Sequence, residues 1–309
     1  MKKIVTILTV LALGVFASCE KEVKVEIYTP GAGDGGYSFY AANASNEFSA
    51  SNPTFEVELY RNTTEGSSTV NLSSTQAIVG GSSVNVLNIP ATATFADGEG
   101  RTKITVGYNE TMQVAVNYTA TIKMDAQDCS YGGLSTLTLK AILAYTWESL
   151  GNGQWFDNLS LMSSDSYGIA NVEVLKAVGY NRYRIMNPYA DEKQLAAAWS
   201  KEQVAGAKSN FIEFWVLDDG THVMWDKYWF DGLIYTPGDN TSSIRAYVPS
   251  YLKSLGQNAD PANDAKSMFV EDKVIRFYPH WFIDDLGGFG CYVCYLSLPG
   301  GPDLNIWLQ

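Results

Sequence analysis

Apolar and polar residues alternate with a period of two along much of this 309-residue chain. Tyr37, Phe39 and Ala41 alternate in this way, and Phe55, Val57 and Leu59 do so opposite Glu56, Glu58 and Tyr60. Val84, Val86 and Ile89 continue the pattern. Ala93 and Phe95 then lead into a turn at Asp97-Gly98-Glu99-Gly100, and Ile104, Val106 and Tyr108 return from it. Tyr118, Ile122 and Met124 make a last strand. A two-residue period sends successive side chains to opposite faces of a sheet, which leaves one face packed and the other wet. Seven or so short strands at this spacing predict a sandwich of two sheets across residues 27–126.

A polar stretch over residues 125–133, ending in Gly132-Gly133, marks a domain boundary, with 127–133 as linker and 134–309 as a second domain. All eight tryptophans lie beyond it: Trp147, Trp155, Trp199, Trp215, Trp225, Trp229, Trp281 and Trp307. Residues 137–144 read as a strand, with a short helix as the other option. Gly151-Asn152-Gly153 predicts a hairpin with Trp155 on the returning strand. Strands follow at Val172, Val174 and Leu175 and at Tyr183, Arg184 and Ile185, the latter broken by Asn187-Pro188-Tyr189. Leu195, Ala196 and Trp199 give residues 191–199 a helical spacing, with Asp191 placed to cap the first turn. Residues 211–217 and 223–225 flank a turn at Asp218-Asp219-Gly220-Thr221, the clearest hairpin of this half. Further strands fall at 274–278 and, after Gly287-Gly288, at 290–298, while 256–268 has no hydrophobic rhythm and reads as a loop. The fold class is mainly β: a β-sandwich followed by an aromatic-rich, mostly antiparallel β domain with one or two short helices.

The first residues follow a different rule. Lys2 and Lys3 precede an apolar run over 4–16, then small Ala17 and Ser18 lead into Cys19. This order reads as a secretory signal over residues 1–18. Its termination on cysteine resembles the lipobox of bacterial lipoproteins, which implies acylation of the Cys19 thiol and residues 19–26 as a tether. An ordinary signal peptide with an early cysteine is the plainer alternative. No later stretch reaches the roughly 18 consecutive apolar residues of a membrane span, so the expected attachment to a lipid bilayer is by lipid alone.

With 33 acidic and 21 basic residues and a net charge of −12, the chain has no concentrated basic field. That argues against a nucleic-acid partner. Besides Cys19 there are Cys129, Cys291 and Cys294. Either Cys129 pairs with one of the other two, or all three remain thiols. His222 and His280 are the two histidines, and no His-Glu-x-x-His spacing, Gly-x-Ser-x-Gly elbow or phosphate loop is present. No cofactor and no metal site are therefore expected. Asp218-Asp219, Asp226, Asp231 and Asp284-Asp285 leave a glycoside hydrolase open, since that chemistry needs two carboxyls about 5–10 Å apart across a cleft.

The sharper candidate is aromatic: Trp225, Tyr228, Trp229, Phe230, Tyr235 and Trp281, with Phe282 beside it. A ring's face packs on the C–H face of a sugar, and Asp226, Asp231 and Asn240 would accept hydroxyl hydrogen bonds. The same rings suit a hydrophobic core or a protein-binding patch equally well.

Two resemblances extend this reading. Ala93-Thr94-Phe95-Ala96-Asp97-Gly98-Glu99-Gly100 with Thr102-Lys103-Ile104-Thr105-Val106 resembles the central hairpin of Calx-beta-type Ig-like domains. Tyr118, Thr119, Thr121 and Ile122 resemble their closing strand. This implies an Ig-like sandwich. Some members bind calcium, yet Asp97, Glu99 and Asp34 form no run of alternating carboxylates. Cys19 followed by Glu20, Lys21 and Glu22, together with Asn181-Arg182-Tyr183-Arg184-Ile185 before Asn187-Pro188-Tyr189, resembles surface lipoproteins of the Bacteroidetes outer membrane. That resemblance implies an outer-membrane location, at the cell surface or the periplasmic face, and no reaction. The expected function is a surface-anchored, non-enzymatic binding lipoprotein with polysaccharide or another outer-membrane protein as partner. A structural or protein-partner-binding lipoprotein and a glycoside hydrolase are the alternatives. Replacing Cys19 with serine is expected to move the protein from the membrane fraction to the soluble one. Mass spectrometry of the native N-terminal peptide should find the wild-type cysteine acylated; an unacylated peptide would remove the anchor.

Overall fold

The computed structural model describes residues 36–159, 168–190, 204–205, 209–229, 232–236 and 241–309. Cys19 and the 191–199 helix expected from the sequence lie outside them. The chain divides into two compact units, one up to Ala144 and one from Tyr145 to Gln309.

Among the described residues the first unit holds nine strands: β1 (Tyr37–Phe39), β2 (Asn43–Phe48), β3 (Thr54–Arg61), β4 (Ser68–Ile78), β5 (Leu87–Asn88), β6 (Thr92–Phe95), β7 (Arg101–Tyr108), β8 (Asn117–Met124) and β9 (Thr136–Leu143). They form a four-stranded sheet ordered β1-β3-β7-β5 and a five-stranded sheet ordered β2-β9-β8-β4-β6. All pairings are antiparallel except β2 with β9. The alternation works as expected: Val57, Leu59, Ile104, Val106, Phe95, Tyr118, Ala120 and Ile122 all point into one core.

Three features differ from the sequence reading. The boundary falls after Ala144, because β9 completes the five-stranded sheet between β2 and β8 instead of opening the second domain. The strand β4, eleven residues long, escaped notice because Ser, Thr, Asn and Gln occupy most of its positions. Finally, β6 and β7 do not form a hairpin. β6 pairs with β4 and β7 with β3 and β5, so the Asp97–Gly100 turn carries the chain from one sheet to the other. Arg61 explains how that crossing is held. Its buried guanidinium donates from Nε to the Glu99 carbonyl at 2.7 Å and from Nη2 to the Thr64 and Ala96 carbonyls at 3.0 and 2.7 Å. Nη1 donates to Ser68 Oγ at 2.9 Å. A buried charge persists only when its donors are met, and here carbonyl oxygens meet them.

The second unit carries β10 (Trp147–Asp157), β11 (Ala170–Ala177), β12 (Arg182–Met186), β13 (Val204–Ala205), β14 (Phe211–Val216), β15 (Val223–Met224), β16 (Tyr228–Trp229), β17 (Ile234–Tyr235) and β18 (Ser242–Tyr247). A short helix α1 (Pro249–Ser254) and a 3₁₀ turn (Pro261–Lys266) come next. They are followed by β19 (Met268–Glu271), β20 (Val274–Phe277), β21 (His280–Ile283), β22 (Gly287–Cys291), β23 (Cys294–Ser297) and helix α2 (Leu304–Trp307). An eight-stranded antiparallel sheet runs β15-β14-β12-β11-β10-β23-β20-β19, and a second sheet runs β13-β17-β18-β21-β22 with β16 on β18.

The hairpin expected at Gly151-Asn152-Gly153 does not form, because β10 runs straight through it. The register slips between Ser149 and Gly151, so the glycine with φ +100° serves a β-bulge. At Gly153 a Cβ would stand 2.5 Å from the Ser297 carbonyl, so the neighbouring strand requires glycine there. The expected strand at 290–298 is two strands, with Cys291 ending β22 and Cys294 opening β23. Gly287 and Gly288 lie inside β22 and do not precede it. The loop at 256–268 contains the 3₁₀ turn. The hairpin around 218–221 stands as expected, with Trp215 opposite Met224 and Val216 opposite Val223. Asp219 accepts from the Thr221 and His222 amides and from the imidazole, and these bonds hold its carboxyl at a pKa of about 2. None of Cys129, Cys291 and Cys294 is joined in a disulfide.

Replacing Arg61 with methionine keeps an unbranched chain but removes the guanidinium bonds to the carbonyls of Thr64, Ala96 and Glu99, of which Thr64 and Ala96 keep a backbone amide. The expected loss is at least about 2 kcal/mol in the unfolding of the first unit, with the amides of residues 96–100 exchanging faster. Equilibrium denaturation combined with hydrogen exchange measures both.

Candidate functional site

The tryptophans singled out from the sequence are core. Trp225, Trp229 and Trp281 are 3%, 4% and 0% exposed. They sit between the two sheets of the second unit with Trp155, Phe214 and Phe277. Trp229 lies 4.7 Å from Trp225, 5.8 Å from Phe277 and 6.2 Å from both Trp155 and Trp281, ring centre to ring centre. Buried in this way, the three rings present no open face to a sugar, and the stacking role expected of them is corrected to packing. Trp225 donates its indole N–H to the Ala246 carbonyl at 3.2 Å, and Trp155 donates to Tyr189 Oη at 3.4 Å. Tyr189 in turn hydrogen-bonds to the fully buried Asp157.

The other candidates scatter. Tyr228 is half-buried, with the Arg245 guanidinium 4.6 Å from its ring centre and Tyr247 at 5.1 Å. Tyr235 is half-buried at the end of β17 and pairs with Ser242. Asp226 is exposed and its carboxylate accepts from the Lys227 amide. Phe230, Asp231 and Asn240 lie outside the described residues. The carboxylates weighed for catalysis have local employment: Asp219 closes its turn, and Asp284 pairs with Arg245 at 3.0 Å. Among the described residues, no group of three or more His, Cys, Asp or Glu is placed to hold a metal ion.

A different surface stands out on the outer face of the eight-stranded sheet. Ile185, Ile212, Phe214 and Val174 face inward, so the residues between them face out. Register places Arg182 opposite Trp215 and Arg184 opposite Glu213. Arg182 lies between two rings, 5.2 Å from the centre of Tyr145 and 4.8 Å from that of Trp215. Arg184 is held more tightly, 4.0 Å from both Trp147 and Phe211. Glu213 joins the rows by accepting from Nε of both arginines, at 2.8 Å from Arg184. Tyr180 extends the lattice through an edge contact with Tyr145 at 5.1 Å. The Nη groups of both arginines have no hydrogen-bond partner among the described residues. Tyr180 and Phe211 are 43% and 37% exposed, so the lattice is open to solvent at its margin.

The sequence carried half of this signal. Asn181-Arg182-Tyr183-Arg184-Ile185 stands out in the sequence, but its meaning depends on Trp147, Phe211 and Trp215, which arrive from other strands. Arginines at alternate positions of a strand, with aromatics at alternate positions of Phe211–Trp215, is the pattern that points to it.

No protein-family model matches the chain, and no curated protein matches it in sequence. Solved structures do. The calcium binding domain CBD12 of CALX1.1 matches with 10% identity over 48% of this chain and 78% of that one, at a TM-score of 0.30. CBD12 from CALX1.2 gives 11% identity and 0.29 over the same shares. The periplasmic chaperone SfaE matches with 13% identity over 50% of this chain and 94% of its own, at 0.25. The similarity to these Calx and chaperone structures is distant, and no ligand or activity follows from it.

Core and platform roles for Trp229 predict different outcomes. Trp229→Ala is expected to destabilise the second unit by about 3–5 kcal/mol in denaturant titration, as for a buried large aromatic. A change within about 0.5 kcal/mol would instead place the ring at the surface.

Proposed function

We propose that this protein is a non-enzymatic lipoprotein, anchored through Cys19 to an outer membrane of the Bacteroidetes type, whose second unit engages a protein partner through the aromatic–arginine lattice. The observation that supports this is the lattice itself: Trp147, Trp215, Phe211, Tyr145 and Tyr180 interleaved with Arg182 and Arg184 on an open sheet face. Tryptophan, tyrosine and arginine are the residues that dominate the energetics of protein interfaces. Four of the rings already carry a guanidinium on a face, which leaves edges and unpaired Nη donors to meet a partner. Edges and forked donors suit backbone carbonyls and carboxylates better than the broad C–H face of a pyranose. Because Glu213 and the rings hold both arginines in place before contact, a partner would lose little entropy in ordering them. The first unit, with its own core, suits a spacer between the tether and this face.

The test is site-specific photo-crosslinking in the native host, with the reactive residue at Val178 or Tyr180 beside the lattice and at Tyr131 of the first unit as control. One discrete adduct from the lattice positions, absent from Tyr131 and lost on Arg184→Ala, is the expected result. No discrete adduct at either lattice position, or one that survives Arg184→Ala in a folded protein, would reject the reading.

A further inference from the structure

The outer face of the other sheet in the second unit contains a cavity of about 310 Å³ beneath α1 and the chain that follows it. Volumes near 300 Å³ mark the small end of ligand sites. His280 faces it because its neighbour Trp281 points into the core, and alternation along β21 sends the imidazole the other way. The register sets Cys291 directly opposite His280, with Sγ 3.8 Å from Nδ1. Asn263 donates from Nδ2 to that sulfur at 3.4 Å.

Burial pushes the Cys291 thiol up from its ordinary value, so it remains S–H. Burial alone lowers the His280 pKa, which keeps the ring neutral. In the Nε2–H tautomer the thiol donates to Nδ1 and the ring proton is left toward the cavity. No charged side chain contributes to that shift. Nε2 lies at the cavity wall, where a Cβ on Gly288 would stand 2.8 Å from it. His280 is 8% exposed, and Nε2 has no hydrogen-bond partner among the described residues. Gln257 and Asn258, both exposed, also line the cavity, and their side-chain amides make no hydrogen bond among the described residues. Phe289, 45% exposed, supplies a ring at the rim.

We infer that this cavity binds one neutral sugar ring, whose hydroxyls accept from His280 Nε2–H and exchange hydrogen bonds with the Gln257 and Asn258 amides while Phe289 covers a C–H face. Three unpaired neutral polar groups around one aromatic ring match a ligand rich in hydroxyls and without charge. The absence of a counter-charge among the lining residues disfavours an acidic sugar. The site is separate from the arginine lattice, so loss of one role leaves the other standing.

Long-range proton–nitrogen NMR of the imidazoles reads the site directly, because the chain has two histidines and His222 serves as internal control. The free protein should show His280 as the neutral Nε2–H tautomer. Titration with glucose, galactose, mannose and N-acetylglucosamine should move His280 saturably with at least one sugar while His222 stays still. Asn258→Ala should weaken that response about five- to tenfold, the loss expected for one hydrogen bond. Gly288→Ala, which places a methyl against Nε2, should abolish it. No saturable response to any of the four sugars would overturn the inference. So would an unchanged response in both variants, or glucuronate binding as tightly as the best neutral sugar.

Discussion

The second unit depends on ring-to-ring packing between its two sheets. Trp155 and Phe277 come from the eight-stranded sheet, Trp229 and Trp281 from the other, and Trp225 from the segment between β15 and β16. Each edge-on or tilted ring pair is worth about 0.5–1.5 kcal/mol beyond the area it removes from water. Large rigid rings also fix the spacing of the sheets, since a tryptophan cannot be replaced by a smaller side chain without leaving a void. The polar atoms show what this packing overrides. Trp225 and Trp155 find acceptors, but among the described residues none meets the buried indole N–H groups of Trp229 and Trp281. An unmet buried donor costs about 1–3 kcal/mol, a cost that ring packing has to offset.

A sheet whose inner face is committed to such a core still has an outer face to settle. This unit settles it in two ways. Over β10 and β23 the C-terminal segment folds back: Trp307 packs edge-on to Tyr295 at 5.0 Å, Tyr295 stacks on Phe156, and the Leu304 amide donates to Gln154. Over β11, β12 and β14 arginines are laid between the rings instead. A guanidinium on a ring face covers apolar surface while its edge stays wet, which a leucine in the same place would not do. The result is a sheet face that is rigid and rich in aromatics and yet stable in water.

Much of the architecture was legible because period-two alternation is a local property. Strands such as β3, β7, β8, β11 and β14 were found from a few residues each. What escaped depended on distant partners. Gly151-Asn152-Gly153 has the composition of a hairpin, but the register with β11 and the close approach of Ser297 turn it into a bulge in a continuous strand. The Asp97–Gly100 turn has the look of a hairpin as well, and Arg61, three dozen residues earlier, makes it a crossing between sheets. The aromatic residues failed as a site for a related reason. Clustering in sequence identifies rings but not their exposure, and Trp225, Trp229 and Trp281 proved to be the interior.

The two outer faces of the second unit offer opposite resources to a ligand, and the difference lies in what is already paired. On the lattice the ring faces are taken and the arginine Nε donors are held by Glu213, so what remains is edges and forked Nη groups on a preset plane. A broad partner with its own carbonyls and carboxylates can use those without distorting them. Around His280 the situation is reversed. Cys291, itself bonded by Asn263, meets Nδ1 at the rear of the imidazole, while among the described residues Nε2 at the cavity wall has no partner. Unpaired donors around a small cavity favour a ligand that brings many hydroxyls in a small volume, because each hydroxyl replaces the water those donors would otherwise hold. Pairing state, more than aromatic content, therefore separates the partner proposed for the lattice from the ligand inferred for the cavity.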